Sequence, residues 1–95
     1  MNKTKAQIAE EVLGAKLADT IKLCEILAFL YPRQREGKYF KKMYGDCEVA
    51  LHEFIYKLGL HTCINSTYYE KIAFADQYNN LLFRIDGLSG KVIEE

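Results

Sequence analysis

Residues 76–94 read DQYNNLLFRIDGLSGKVIE, and the pattern of this stretch decides the fold class. Leu81, Phe83 and Ile85 share one side of an extended chain, because successive side chains of a β-strand point to opposite faces. Turn-forming residues lie on both sides of this strand, and their asparagines and glycines tolerate the backbone conformations of tight turns. The stretch therefore predicts an antiparallel meander of short strands over about residues 67–94.

The residues just before this stretch allow two interpretations. Residues 68–75 mix aromatic and aliphatic side chains, which is typical of a strand. Thr67 followed three residues later by Glu70 also has the form of a capping box, in which two side chains satisfy unpaired backbone amides at a helix start. We therefore expect a strand before residue 76 and keep a helix over residues 68–78 as the alternative.

The N-terminal part of the chain carries helical signals instead. Thr4 and Gln7 form a second capping box, and apolar residues then recur at intervals of three and four. Gly14 interrupts this run, so we expect a short helix followed by a longer one. Pro32 ends the longer helix, because proline cannot donate to the helical hydrogen bonds.

A further helical pattern runs from Phe40 to Leu58 and ends at Gly59, a residue typical of the left-handed position after a helix. The Gly45-Asp46 pair interrupts it, and the pattern fits either one kinked helix or two. The whole sequence predicts a single α+β domain over residues 1–95. In it, two or three helices over about residues 4–59 pack on a small antiparallel β-meander.

One helical segment, residues 23–31, is apolar on nearly all sides, with Glu25 as its only charged residue. Such a helix must be covered on more than one side. It is either central in the domain, between other elements of the same chain, or partly buried in a homodimer contact. Central burial is the simpler interpretation.

Composition excludes several classes of protein. Thirteen basic residues balance thirteen acidic ones, so no net charge attracts the chain to nucleic acid or to an anionic membrane. The longest strongly apolar run has nine residues, whereas a membrane span needs about 20. The residues after Met1 lack the apolar core of a signal peptide, and three cysteines cannot all pair within one chain. We therefore expect a cytoplasmic protein with reduced thiols and no membrane association.

The chemistry-bearing residues form no catalytic or metal-binding motif. Cysteine and histidine occur in the order Cys47, His52, His61 and Cys63, which matches no zinc-site spacing. The sequence contains neither a nucleophile elbow nor a glycine-rich phosphate loop ahead of a helix. We therefore expect no catalytic activity, no cofactor and no metal.

The strongest local charge lies in a basic segment between Tyr31 and Tyr44, where five basic residues outnumber one glutamate. Lysine and arginine beside tyrosine can hold phosphates and stack bases, so the segment indicates a nucleic-acid site as the alternative function. The other interpretation is an ordinary solvated helix face. The basic segment consists of Arg33, Arg35, Lys38, Lys41 and Lys42.

The tyrosines are too numerous for a core this small, so some are expected at the surface, where aromatic residues favour protein contacts. The predicted interface residues lie in or beside the meander: Tyr68, Tyr69, Tyr78 and Leu82. An edge strand at 91–94 could also pair with a partner's sheet. We expect a small intracellular regulatory protein that binds another protein or itself. Its size suits an accessory or inhibitory module of phage or mobile-element origin.

Overall fold

The computed structural model describes residues 3–64 and 69–94. Its helical part contains α1 (Lys5–Leu13), α2 (Leu17–Leu30) and α3 (Lys38–Lys57). Short 3₁₀ turns join them at Gly14–Lys16 and Tyr31–Glu36. The predicted division at Gly14 is confirmed. Gly45 does not interrupt α3, so the pattern from residue 40 to residue 58 forms one helix.

The start of α1 is closed by side chains from both ends of the chain. Thr4 and Gln7 form the predicted capping box, each side chain bonding the backbone of the other residue. The Glu94 carboxylate accepts hydrogen bonds from the amides of Lys5 (3.2 Å) and Ala6 (2.8 Å). The C-terminal tail is therefore tied to the helix by a charge that also suits the positive end of the helix dipole.

Within the described residues, four strands form one antiparallel sheet: β1 (His61–Ile64), β2 (Ile72–Ala75), β3 (Leu81–Asp86) and β4 (Lys91–Val92). Their order in the sheet follows the sequence, so the sheet is a meander. The α+β fold class is confirmed. The alternative helix over 68–78 is wrong, since residues 72–75 are a strand. The strand β1 was not predicted, and the β part begins near residue 61 rather than residue 67.

The sheet has one face covered by helices and one open face. Ile72, Phe74, Phe83 and Ile85 are almost fully buried, whereas the alternating residues of the same strands are only half-buried. The rings of Phe74 and Phe83 stack with their centroids 4.9 Å apart. The covered face therefore carries the core, and the opposite face, called the outer face below, is open.

A β-bulge changes the start of β3. Phe74 pairs with Phe83, but the next residue of β2, Ala75, pairs with Leu81, so β3 has one extra residue there. The bulge breaks the predicted alternation. Leu81, expected on the buried side, is 45% exposed.

The apolar helix α2 is central. Cys24, Leu27, Ala28 and Leu30 are buried by the rest of the chain. Phe29 remains exposed, and the Arg33 guanidinium lies 3.7 Å from its ring centroid. The chain itself therefore covers most of residues 23–31, as the simpler of the two interpretations predicted. Within the described residues, no helix is long and apolar enough to span a membrane.

Candidate functional site: an uncharged groove and two flanking surfaces

The turn between β2 and β3 exposes Tyr78 to solvent, and hydrogen bonds to Asp76 hold the backbone of this turn. The Asp76 carboxylate accepts hydrogen bonds from the backbone amides of Tyr78 and Asn80, each at 2.9 Å, and from the Asn80 side chain at 3.1 Å. These bonds, those from Asn80 above all, lower the pKa of Asp76. Asn79 adopts the left-handed conformation, as its residue type allows. The predicted turn is thus confirmed, and Tyr78 is 77% exposed at its tip.

Beside Tyr78, the outer face of the sheet contains a shallow groove of about 490 Å³, called the outer groove below. Its floor is formed by the small side chains of Ala73 and Ala75, which are flanked by longer residues of β1 and of the turn. Among the described lining residues there is no aspartate, glutamate, lysine or arginine. The lining residues are His61, Thr62, Cys63, Ala73, Ala75, Gln77, Tyr78 and Asn79.

The predicted interface residues have different outcomes. Tyr78 is exposed at the outer groove, and Leu82 is half-buried and packs against the core. Tyr69 is only 2% exposed, so its assignment to a surface is wrong. Tyr68 lies outside the described residues. Residues of β1 contribute to the groove instead, and sequence reasoning missed them because it did not predict that strand.

Tyr69 is buried because two other tyrosines enclose it. Its ring centroid lies 5.4 Å from that of Tyr31 and 5.9 Å from that of Tyr44. Burial, reinforced by Tyr31, raises the pKa of Tyr69 to about 12. The backbone amide of Gly87 donates to the Tyr69 carbonyl at 2.8 Å. Tyr69 is therefore a core residue that joins the helices to the sheet.

A second groove lies where the C-terminal end of α3 meets β1. The exposed Tyr56 ring lies 6.4 Å from the His61 ring, measured between centroids. The cavity beside them, called the corner groove below, has a volume of about 290 Å³. It is lined by His52, Glu53, Tyr56, Leu60, His61 and Thr62.

The basic segment does not act as one uniform patch. Arg33 donates a hydrogen bond from its guanidinium to the Phe29 carbonyl at 2.6 Å and thereby caps the end of α2. The other four cations are exposed and make no ion pair or side-chain hydrogen bond with any described residue: Arg35, Lys38, Lys41 and Lys42. Tyr39, between them, is 70% exposed. Arg33 therefore has a structural role in the fold, whereas the other four cations of the basic segment are exposed to solvent.

Among the described residues, cysteines and histidines come together in pairs, His61 with Cys63 in the outer groove and His52 with His61 in the corner groove. Burial, with a smaller effect from Glu25, raises the pKa of the Cys24 thiol to about 12, so Cys24 is a poor nucleophile at neutral pH. In the part of the chain that the structure describes, no group of three or more His, Cys, Asp or Glu side chains is arranged to hold a metal ion.

Comparison of the chain with protein-family models, with curated proteins and with solved structures finds no match in any of the three.

Proposed function

We propose that this chain is a small regulatory module that acts by binding another protein, and that the outer groove is its contact site. The observation that carries this proposal is an open, uncharged groove beside an exposed, firmly held tyrosine. Tyrosine contributes much contact area at low cost in conformational entropy, which explains its enrichment at protein interfaces.

The chemistry of the groove favours a protein over a charged ligand. The alanine floor leaves space for an apolar side chain of a partner, and no described lysine, arginine, aspartate or glutamate lines the groove to hold a phosphate or an ammonium group. Gln77 and Asn79 can exchange hydrogen bonds with a partner's backbone, since each amide both donates and accepts. An apolar centre with a polar rim is the usual arrangement of a protein interface.

The hydrogen bonds of Asp76 support the same proposal. They hold the turn at both Tyr78 and Asn80, so Tyr78 loses little backbone freedom when it binds. Preorganisation of this kind raises affinity by lowering the entropy lost on association.

The class of protein and its compartment are inferred from chain size and from the state of the cysteines. The small size of the chain suits an accessory or inhibitory protein, such as those of phages and mobile elements. A buried Cys24 thiol fits a reducing compartment such as the cytoplasm.

A matched pair of tyrosines tests the proposal. Tyr78 and Tyr39 are similarly exposed, at 77% and 70%, but only Tyr78 borders the outer groove. The chain, Tyr78→Ser and Tyr39→Ser are each immobilised and incubated with extract of the source cells, and the captured proteins are quantified. We expect Tyr78→Ser to capture at least tenfold less of one specific protein than the unchanged chain does, and Tyr39→Ser to capture as much of it as the unchanged chain. Equal capture by both variants would overturn the proposal.

A second candidate function is nucleic-acid binding by the four solvated cations of the basic segment. The observation that favours it is their position, because Lys38, Lys41 and Lys42 occupy the first two turns of α3 and no acidic residue lies in its first turn. Positive charge at this end opposes the helix dipole and costs stability, so it is not explained by folding. Tyr39 is available there to stack on a base.

This alternative is tested with a fluorescent single-stranded oligonucleotide at two salt concentrations. The variant replaces Arg35, Lys38, Lys41 and Lys42 by glutamine and keeps Arg33, which caps α2. Nucleic-acid binding predicts an affinity that falls with salt and is lost in the variant. Undetectable binding by the unchanged chain, or equal binding by both proteins, would exclude it.

A further inference from the structure

Glu53 brings a negative charge without a counter-ion into the lining of the corner groove. Its side chain is exposed, and it forms no ion pair or side-chain hydrogen bond with any described residue. Lys57 has the four-residue spacing of a helical ion pair, but no such pair forms between the two. Among the described lining residues there is no lysine or arginine. The charge of the groove is therefore complementary to a cation that comes from outside the chain.

An exposed aromatic ring lies beside this carboxylate. Tyr56 follows Glu53 by three residues, so the two side chains share one face of α3. Tyr56 contacts His61 in an edge-type geometry, and the Tyr56 side chain is nevertheless 72% exposed. Its ring therefore has area available to a ligand. Cations bind over the faces of aromatic rings, and arginine does so more often than lysine.

We propose that the corner groove is a binding site for an arginine side chain. The guanidinium stacks on the Tyr56 ring and donates hydrogen bonds to the Glu53 carboxylate. The aliphatic part of the arginine covers Leu60, the buried apolar residue of the lining. Arginine fits this site better than lysine, because a planar guanidinium can stack on a ring and can also donate two parallel hydrogen bonds to a carboxylate.

The chain itself contains a contact of the same kind. The Arg33 guanidinium lies 3.7 Å from the ring centroid of Phe29 and donates a hydrogen bond to the Phe29 carbonyl at 2.6 Å. One guanidinium thus lies over a ring and binds an oxygen at the same time. The corner groove provides both of these partners, a ring and an oxygen acceptor, and its acceptor carries a negative charge.

The corner groove adjoins the outer groove. His61 and Thr62 line both grooves, so a protein that fills the outer groove reaches the corner groove directly. The arginine therefore belongs to the protein that binds the outer groove. This assignment rests on the proposed function, whereas the preference of the corner groove for a guanidinium does not.

The preference is tested by an NMR titration of the chain with N-acetyl-arginine amide, followed through the Tyr56 ring and the His61 and Thr62 amides. N-acetyl-citrulline amide is the control ligand, because citrulline resembles arginine in shape but has no charge. We expect saturable shifts with the arginine compound and at least about fivefold weaker binding of the citrulline compound.

Two matched variants locate the site. Glu53→Gln should abolish the preference for the arginine compound. Asp46→Asn should retain it, because Asp46 is an exposed carboxylate two turns away on the same helix. Amide spectra check that both variants are folded. The absence of saturable shifts, equal binding of both compounds, or an undiminished preference in Glu53→Gln would overturn the inference.

Capture from cell extract tests the assignment of the arginine to the partner. Immobilised Glu53→Gln should capture at least about threefold less of the protein that depends on Tyr78 than Asp46→Asn does. Equal capture by these two variants would overturn the assignment. If the arginine compound binds but no captured protein depends on Tyr78, the proposed function fails and the assignment fails with it, while the guanidinium site stands.

Discussion

Tyr69 shows how a single residue can join the two layers of this fold. It is an aromatic residue with a positive φ of 61°, a conformation that costs energy for any residue with a large side chain. Its ring packs between those of Tyr31 and Tyr44, and its carbonyl accepts a hydrogen bond from the amide of Gly87. The packing and hydrogen bonding therefore hold the backbone in a conformation that it would not otherwise adopt.

Removing this ring should be costly. We expect Tyr69→Ala to lower the free energy of unfolding by about 3 kcal/mol, because truncating a buried aromatic residue leaves a cavity. Tyr78→Ala, at an exposed site, should change it by less than about 0.5 kcal/mol. Urea denaturation of the two variants measures the difference. A small and similar loss of unfolding free energy in both variants would show that the packing of Tyr69 against Tyr31 and Tyr44 does not stabilise the core.

The Asp76 turn should respond to acid. The pKa of Asp76 in the folded chain lies below its usual value of 3.8. Its hydrogen bonds therefore stabilise the fold above the unfolded-state pKa, and this contribution is lost as the pH falls through the folded-state pKa. An NMR titration should give a carboxyl midpoint below 3.8, with the Tyr78 and Asn80 amides losing protection over the same range. A midpoint at or above 3.8 would contradict the hydrogen bonding.

At the residue scale, sequence could not distinguish Tyr69 from Tyr78. Both are tyrosines near turn-forming residues, and only the packing of Tyr31 and Tyr44 separates a core residue from a surface one. The turn itself could be predicted, because aspartate and asparagine form it through local hydrogen bonds.

At the scale of elements, Gly87 marks a close approach between α2 and the turn that follows β3. A Cβ atom at this position would lie 2.8 Å from the Cys24 carbonyl oxygen and 2.9 Å from the Tyr69 carbonyl oxygen. Both neighbours are backbone atoms of packed segments, so they cannot move aside as a flexible side chain can. The absence of a side chain at Gly87 thus allows α2 to pack on the turn after β3.

A pair of glycine substitutions separates this effect from helix propensity. We expect Gly87→Ala to destabilise the chain by about 1–3 kcal/mol through overpacking. Gly45→Ala has no atom within 4 Å of the added Cβ and lies inside α3, so it should stabilise the chain by about 0.5–1 kcal/mol. Chemical denaturation of both variants provides the measurement. Stabilisation by both substitutions would show that α2 and the turn are not tightly packed.

Features that depend on neighbouring residues, such as helix caps, could be predicted from the sequence. Features that depend on contacts between distant residues could not. The Thr4 capping box and the C-terminal Gly59, with its positive φ, depend on a few neighbouring residues and were confirmed. The strand β1 was missed because its residues show no alternation of apolar and polar types, and its pairing with β2 decides its structure. The bulge at Leu81 likewise follows from pairing between strands.

At the scale of the whole molecule, the α+β class could be predicted because two periodicities follow each other along the chain. The candidate surfaces could not, since each combines residues from separate elements. The outer groove joins β1, β2 and the turn, and the corner groove joins α3 to β1. Without knowledge of β1, neither surface is visible in the sequence. The basic segment could be recognised in the sequence because its residues are close together along the chain. The hydrogen bond by which Arg33 caps α2 could not be predicted.

The most direct measurement is the hydrogen–deuterium exchange footprint of the chain when it holds its captured protein. We expect slower exchange at residues 72–80, a range that includes the floor and part of the rim of the outer groove. Residues 33–42, which contain the basic segment, should exchange as in the chain alone. The opposite result, with slowed exchange at 33–42 and none at 72–80, would contradict protein binding through the outer groove.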